Sequence, residues 1–218
     1  MPPCTWWQSV KLTLLHSSQV QSHMKLRALW TQSVMCCCCC CCCCCCCCCW
    51  CCCAAVLQDL TPLASYTSLT SLEVYAVSVY DITPLSPLTL LQELDLHQLQ
   101  EEQGWLDMSP LSSLVNLTSL GLQGSDADIV QHTPWERLTA LVKLDLHGSR
   151  VADLRPIRGL TGLRSLEISQ TRDLRDLRPL SGLHSLRELV LTGSKNVQDL
   201  RPIMHLTGLT KGGLLKKP

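Results

Sequence analysis

Seven prolines, Pro62, Pro84, Pro110, Pro134, Pro156, Pro179 and Pro202, recur at intervals of 22 to 26 residues in a chain of 218. All but Pro134 sit in an Asp-apolar-x-Pro-apolar opening that runs on into leucines spaced Leu-x-x-Leu-x-Leu. One such unit cannot bury its apolar face alone, so successive units must stack and share a continuous core. The period therefore selects a solenoid over any topology in which distant segments close on one another.

Within each unit the leucines divide into two patterns. The triplets Leu69, Leu72, Val74; Leu91, Leu94, Leu96; Leu117, Leu120, Leu122; Leu141, Leu144, Leu146; Leu163, Leu166, Ile168; and Leu186, Leu189, Leu191 each end in apolar residues alternating with polar ones. Alternation at period two predicts a short strand with one buried face, and stacked units pair these strands in parallel about 4.8 Å apart. Before each strand apolar residues recur every third position, as in Leu154, Ile157, Leu160 and Leu177, Leu180, Leu183. That spacing suits a short helical or 3-10 segment behind the sheet. The expected fold is α/β, a curved parallel sheet on the concave side with such segments on the convex side.

Asp59, Asp81, Asp107, Asp153, Asp176 and Asp199 stand before the apolar-x-Pro-apolar element. A carboxylate there can accept a backbone N–H at the start of the segment, where the proline's missing donor does no harm. The fourth unit offers only Gln131, His132 and Thr133-Pro134-Trp135, which predicts a weaker opening turn. Arg155, Arg178 and Arg201, each two residues after an aspartate, form a solvated and partly ion-paired stripe.

Residues 153 to 168, Asp-Leu-Arg-Pro-Ile-Arg-Gly-Leu-Thr-Gly-Leu-Arg-Ser-Leu-Glu-Ile, resemble the short internalin-like class of leucine-rich repeats, and the likeness covers about 150 residues. The family pattern places asparagine where this chain has Val77, Leu99, Ser125, Ser149, Thr171 and Ser194. Hydroxyls can still bond neighbouring backbone groups, whereas Val77 and Leu99 cannot. The resemblance implies an interaction scaffold without a shared catalytic centre.

The alternation also assigns an outward face. A central row is expected at Glu73, Asp95, Gly121, Asp145, Glu167 and Val190. One flank would hold Ser71, Glu93, Ser119, Lys143, Ser165 and Glu188, and the other Tyr75, His97, Gln123, His147, Ser169 and Thr192. Like charges one strand apart cost on the order of 1 kcal/mol in water, a penalty that a basic partner would relieve. A cationic peptide or protein face is the expected ligand, set against the plainer reading of an ordinary solvated sheet. His97 and His147 lie two units apart, about 10 Å, too far to share a zinc ion. With no recurring nucleophile elbow or paired acid and base, the expectation is no enzyme, no cofactor and no metal site. Insertions around Gln100 to Trp105 and around Asp126 to Asp128 predict edge loops, of which Trp105 is the candidate contact residue.

Composition separates the remaining segments. Net charge is zero, yet every Asp and Glu lies at or after Asp59, and the first 58 residues carry only Lys11, Lys25 and Arg27. No basic surplus points to nucleic acid. Seventeen cysteines fill Cys36 to Cys53 around Trp50, and the repeats contain none. Adjacent Cα atoms lie only about 3.8 Å apart, which disfavours disulfides between neighbours. Three readings of that tract stand: a low-complexity homopolymer, a membrane anchor within residues 34 to 57, and a soft-metal binder. An anchor would carry the repeats outward, where the Asn116-Leu117-Thr118 sequon could be glycosylated.

The expected organisation is a disordered segment 1–35, a poly-Cys tract 36–53, and a repeat domain 54–218 of about seven units with a truncated last one, since Gly212 takes a leucine position. Missing terminal caps would expose leucine edges and favour self-association. The absence of structural cysteines favours a cytoplasmic setting, with a single-pass membrane protein as the alternative.

Overall fold

The computed structural model describes residues 23–27, 60–75, 79, 81–97, 106–125, 129–171 and 173–213. These residues form a single eight-stranded parallel sheet whose strands follow one another in chain order: β1 (His23–Arg27), β2 (Ser71–Tyr75), β3 (Glu93–His97), β4 (Ser119–Gln123), β5 (Lys143–Asp145), β6 (Ser165–Glu167), β7 (Glu188–Val190) and β8 (Lys211–Gly213). Register follows the repeat without slippage: Leu72, Leu94, Leu120, Leu144, Leu166 and Leu189 are successive partners. A slip of one residue would turn each of these leucines to solvent, so the buried face fixes the pairing.

Behind the sheet run 3-10 segments at Thr61–Ser65, Thr83–Leu85, Ser109–Ser113, Trp135–Arg137, Arg155–Gly159, Arg178–Gly182 and Arg201–Ile203. The leucines and isoleucines of strands and 3-10 segments merge into one core, with Leu85, Leu111, Leu138, Ile157 and Leu180 fully buried at 0% exposure. This is the α/β solenoid that the leucine spacing predicts.

The aspartates cap as expected, but from one position further out. The residue immediately before each 3-10 segment is apolar, for example Ile82, Met108, Leu154 and Leu177, and its side chain belongs to the core. The aspartate before it reaches past: Asp81, Asp107, Asp153, Asp176 and Asp199 accept the N–H two residues on at 2.8 to 3.0 Å. Asp59 lies outside the described residues. Arg155, Arg178 and Arg201 fold back onto the same carboxylates at 2.6, 2.8 and 2.9 Å.

The fourth unit solves the same problem differently. A single helical turn, α1 (Ile129–His132), precedes Thr133, whose hydroxyl donates to the Ile129 carbonyl at 2.6 Å. Trp135 is 2% exposed, and its indole N–H donates to the Val130 carbonyl at 2.7 Å. Gln131 stands where the other units have an aspartate, and these two hydrogen bonds hold the opening turn instead, while Trp135 fills the buried position of Leu111 and Ile157.

Ser125, Ser149, Thr171 and Ser194 are all buried at the family's asparagine position. They work in pairs across units. Ser149 donates to the Leu122 carbonyl, which Ser125 also approaches at 3.4 Å. Ser194 donates to the Ile168 carbonyl at 2.8 Å and sits 2.9 Å from the Thr171 hydroxyl. Strand-end carbonyls that would otherwise be buried without a donor are satisfied by the next unit's hydroxyl. Val77 and Leu99 lie outside the described residues.

Two strands extend the sheet beyond what the leucine pattern marks. Residues His23–Arg27, within the segment read as disordered, pair in parallel with β2, placing Met24 beside Leu72 and Leu26 beside Val74. At the other end Lys211–Gly213 pairs with β7, with Gly212 beside Leu189, so the glycine does not prevent pairing. The Cys36 to Cys53 tract, Trp105 and Asp126 to Asp128 lie outside the described residues. Among the described residues no helix is long and apolar enough to cross a membrane.

Candidate functional site

Parallel register brings the expected central row together: Glu73, Asp95, Gly121, Asp145, Glu167 and Val190 are successive partners from β2 to β7. Glu93 and Ser119 pair beside them, followed by Lys143, Ser165 and Glu188. Glu93, Lys143 and Glu188 are exposed, while Glu73, Asp95, Asp145 and Glu167 are half-buried. Four strand steps separate Glu73 from Glu167, roughly 19 Å. Over β2 to β5 this face forms an open trough of about 820 Å³ lined by Glu73, Glu93, Asp95, Ser119 and Lys143.

The centre of the row is Asp95 lying over Gly121. A Cβ built on Gly121 would meet Asp95 Oδ1 at 1.7 Å, so the carboxylate occupies the space that any side chain there would take. Asp95 Oδ1 is buried and accepts no hydrogen bond among the described residues, and His97 Nε2 is 3.9 Å away. Burial pushes the Asp95 carboxyl above its ordinary range, His97 opposes the shift, and the Asp145 and Glu73 charges add to it.

Asp145 is better supported: Gln123 Nε2 donates to its Oδ2 at 2.7 Å, and the His147 N–H to its Oδ1 at 2.9 Å. His147 Nδ1 faces Glu167 Oε1 at 3.5 Å. On the other flank Ser71 and Ser165 donate to Glu93 and Glu188 across the strand gap, both at 3.1 Å. Tyr75 pairs with His97 in register.

Two details differ from the sequence reading. Ser169, assigned to the outward row, is 2% exposed, because β6 ends at Glu167 and the chain then turns inward. Basic residues also bound the acidic row at both ends. β1 sets Lys25 beside Glu73 and Arg27 beside Tyr75, and β8 sets Lys211 beside Glu188. The alternation of Met24 and Leu26 with polar neighbours was the available signal for β1, too short to stand out beside a cysteine tract. The acidic zone is thus a bounded patch centred on β3 to β6. Among the described residues no group of three or more His, Cys, Asp or Glu is placed to hold a metal ion.

Carboxylates on the two sides of the solenoid respond to pH with opposite sign. The Arg178 side chain and then its N–H hold Asp176 below its ordinary range, and Arg201 does the same for Asp199. At Asp153 desolvation is the largest influence and acts upward, but the bonds from Arg155 together outweigh it and the net shift is downward. A lowered folded-state pKa means that the unfolded chain binds the proton first as pH falls. The stability these caps contribute is therefore present above the carboxylate range and is lost as pH drops through their folded pKa values. Asp95, shifted upward, does the reverse: its ionisation costs stability as pH rises through its folded pKa. Urea melts across pH 3 to 7, roughly the carboxylate range and above, should show Asp176→Ala losing about 1 kcal/mol at neutral pH and little at the acid end. Asp95→Asn should be more stable than the parent at neutral pH, and an equal response of both variants would contradict this assignment.

A parallel sheet built one strand per unit, with capped 3-10 segments behind it and paired hydroxyls at the turn, defines a leucine-rich repeat solenoid. The repeats are of the short internalin-like class. The fold matches internalin C2 of Listeria monocytogenes at 29% identity and a TM-score of 0.61, over 72% of this chain and 66% of that one. It also matches internalin F of the same organism at 22% identity and a TM-score of 0.56, over 74% of this chain and 51% of the other. The chain spans about two thirds of the first of these proteins and half of the second. No protein-family model and no curated protein matches the sequence.

Proposed function

We propose that the chain is a non-enzymatic interaction scaffold that takes a basic peptide or protein face on its concave sheet. The observation that carries this reading is Asp95. Its carboxylate is held against Gly121 with one oxygen buried and accepting no hydrogen bond, in line with Glu73, Asp145 and Glu167. A purely solvating residue gains nothing from that position, whereas a guanidinium or ammonium from a partner would bond the exposed side of the carboxylate, offset the cost of the buried oxygen and screen the like charges. Polar sites that cost stability are expected where binding is selected.

The partner's footprint is set by Glu73, Glu93, Asp95, Asp145, Glu167 and Glu188, with Gln123 and His147 holding the carboxylates and Lys143 as the internal positive group. His97 and Tyr75 lie in register on one margin. A reducing, intracellular setting accords with repeats that carry no cysteine.

The test is affinity capture with the full chain beside the triple variant Asp95→Asn, Asp145→Asn, Glu167→Gln, washed at low and high salt. Basic proteins should be retained by the parent, lost from the variant and released by salt. Identical retention by both baits would refute a concave acidic interface.

A further inference from the structure

Away from the acidic row, at the edge where the chain enters β6, β7 and β8, lies a second, basic recess of about 340 Å³ lined by Arg164, His184, Ser185, Arg187, Gly208 and Thr210. Arg164, Arg187 and Thr210 hold equivalent places in successive units: the Arg187 N–H donates to the Arg164 carbonyl at 2.8 Å, and the Thr210 N–H to the Arg187 carbonyl at 3.0 Å. The two arginines therefore stand one strand spacing apart, about 4.8 Å at the backbone.

Their surroundings differ from those of the arginines that lie beside aspartates. Arg150, Arg155, Arg178 and Arg201 each meet an aspartate within 3.6 Å. Arg164 and Arg187 have no carboxylate within 4.0 Å among the described residues, and the nearby Glu188 is bonded to Ser165. Two permanently charged groups side by side without a counter-charge repel each other, and a shared anion would remove that repulsion. His184 is steadied at the rim by an edge-to-face contact with His205, ring centres 5.8 Å apart, and His205 is itself tied to the Ser181 carbonyl at 2.7 Å. Gly208 lines the recess where the backbones of neighbouring units approach closely, since a Cβ there would come within 3.1 Å of the Leu186 carbonyl.

We propose that this recess binds a phosphate group, held between the Arg164 and Arg187 guanidiniums with the His184 ring and the Ser185 hydroxyl as further partners, the Thr210 hydroxyl being directed at the Arg187 carbonyl at 3.4 Å. Charge decides the class: two guanidiniums match a phosphoryl group of about −1.5 to −2, whereas a carboxylate would neutralise only one. The inference is independent of the concave acidic row, and its failure would leave that reading untouched.

The experiment is an amide NMR titration of the full chain in reducing buffer, replacing chloride by inorganic phosphate at constant ionic strength. Saturable shifts are expected at Arg164, Ser185, Arg187 and Thr210, with none at Asp95 or Asp145. The double variant Arg164→Gln, Arg187→Gln alters exposed side chains and should keep the parent spectrum elsewhere while weakening phosphate roughly tenfold or more. Linear shifts scattered over all basic residues, or saturation unchanged in the double variant, would overturn the proposal. A phosphoserine peptide titrated beside its unphosphorylated twin identifies the source. Tighter binding than free phosphate places the group on a protein chain, and equal binding makes the free ion the ligand; both uphold the site.

Discussion

Trp135→Ala should destabilise the solenoid by about 3–5 kcal/mol, the loss typical of deleting a buried aromatic. Trp135 is 2% exposed and follows Pro134 at the position that Leu85, Leu111, Ile157 and Leu180 fill, fully buried, in other units. Two losses combine in the variant. The indole volume is left as a cavity behind β5, and the Val130 carbonyl loses the 2.7 Å bond that holds α1 against the core. Trp135→Phe should recover most of the packing but not the hydrogen bond, falling short of the parent by about 1–3 kcal/mol, the penalty for a buried group without its partner. Urea denaturation of the three proteins separates the contributions. If alanine cost no more than phenylalanine, the indole would be a surface residue and the account of the fourth unit would fail.

That unit also marks where the amino-acid pattern stops being legible. Leucines at Leu-x-x-Leu-x-Leu spacing give the strand register directly, because period two and a single buried face admit one solution. The aspartates were equally legible, since an acceptor one residue ahead of an apolar anchor can reach the same N–H in every unit. Trp135 was legible only in part: it continues the three-residue spacing of Leu138 and Leu141, which marks it as buried, but where its indole N–H lands carries no periodic signal. β1 was hidden for a different reason: only Met24 and Leu26 announce it, far from the period that identifies the other strands. At the concave face the row of carboxylates could be read from sequence. The placement of Asp95 over Gly121 could not, because it depends on a neighbouring strand having no side chain at that level. The arginine pair at positions 164 and 187 was visible in the sequence, but only the absence of facing carboxylates distinguishes it from the Asp-Arg stripe.

Leu144→Ala should cost about 2–5 kcal/mol and, unlike a core substitution in a globular domain, should split unfolding into two steps. Leu144 is 0% exposed at the centre of β5, between Leu120 and Leu166 in register. In a solenoid each unit is stabilised by its two neighbours, so weakening one interior unit uncouples the arrays on either side. The side from β5 to β8 has short strands of three residues and paired serine and threonine turns, and it should keep its own transition. The side from β2 to β4 carries the Asp95 and Gly121 pair and should melt separately. Once Trp6, Trp7, Trp30, Trp50 and Trp105 are replaced by phenylalanine, the buried Trp135 reports on the fourth unit, and a tryptophan introduced at Leu90, an exposed turn position read at longer wavelength, reports on the second. Non-coincident transitions by the two probes in Leu144→Ala, against one shared transition in the Leu90→Trp parent, are the expected result. Coincident transitions in both would mean that the array folds as a single unit. In the uncoupled variant a basic partner should also bind less tightly, because Glu73 and Asp95 would no longer be held in one plane with Asp145 and Glu167.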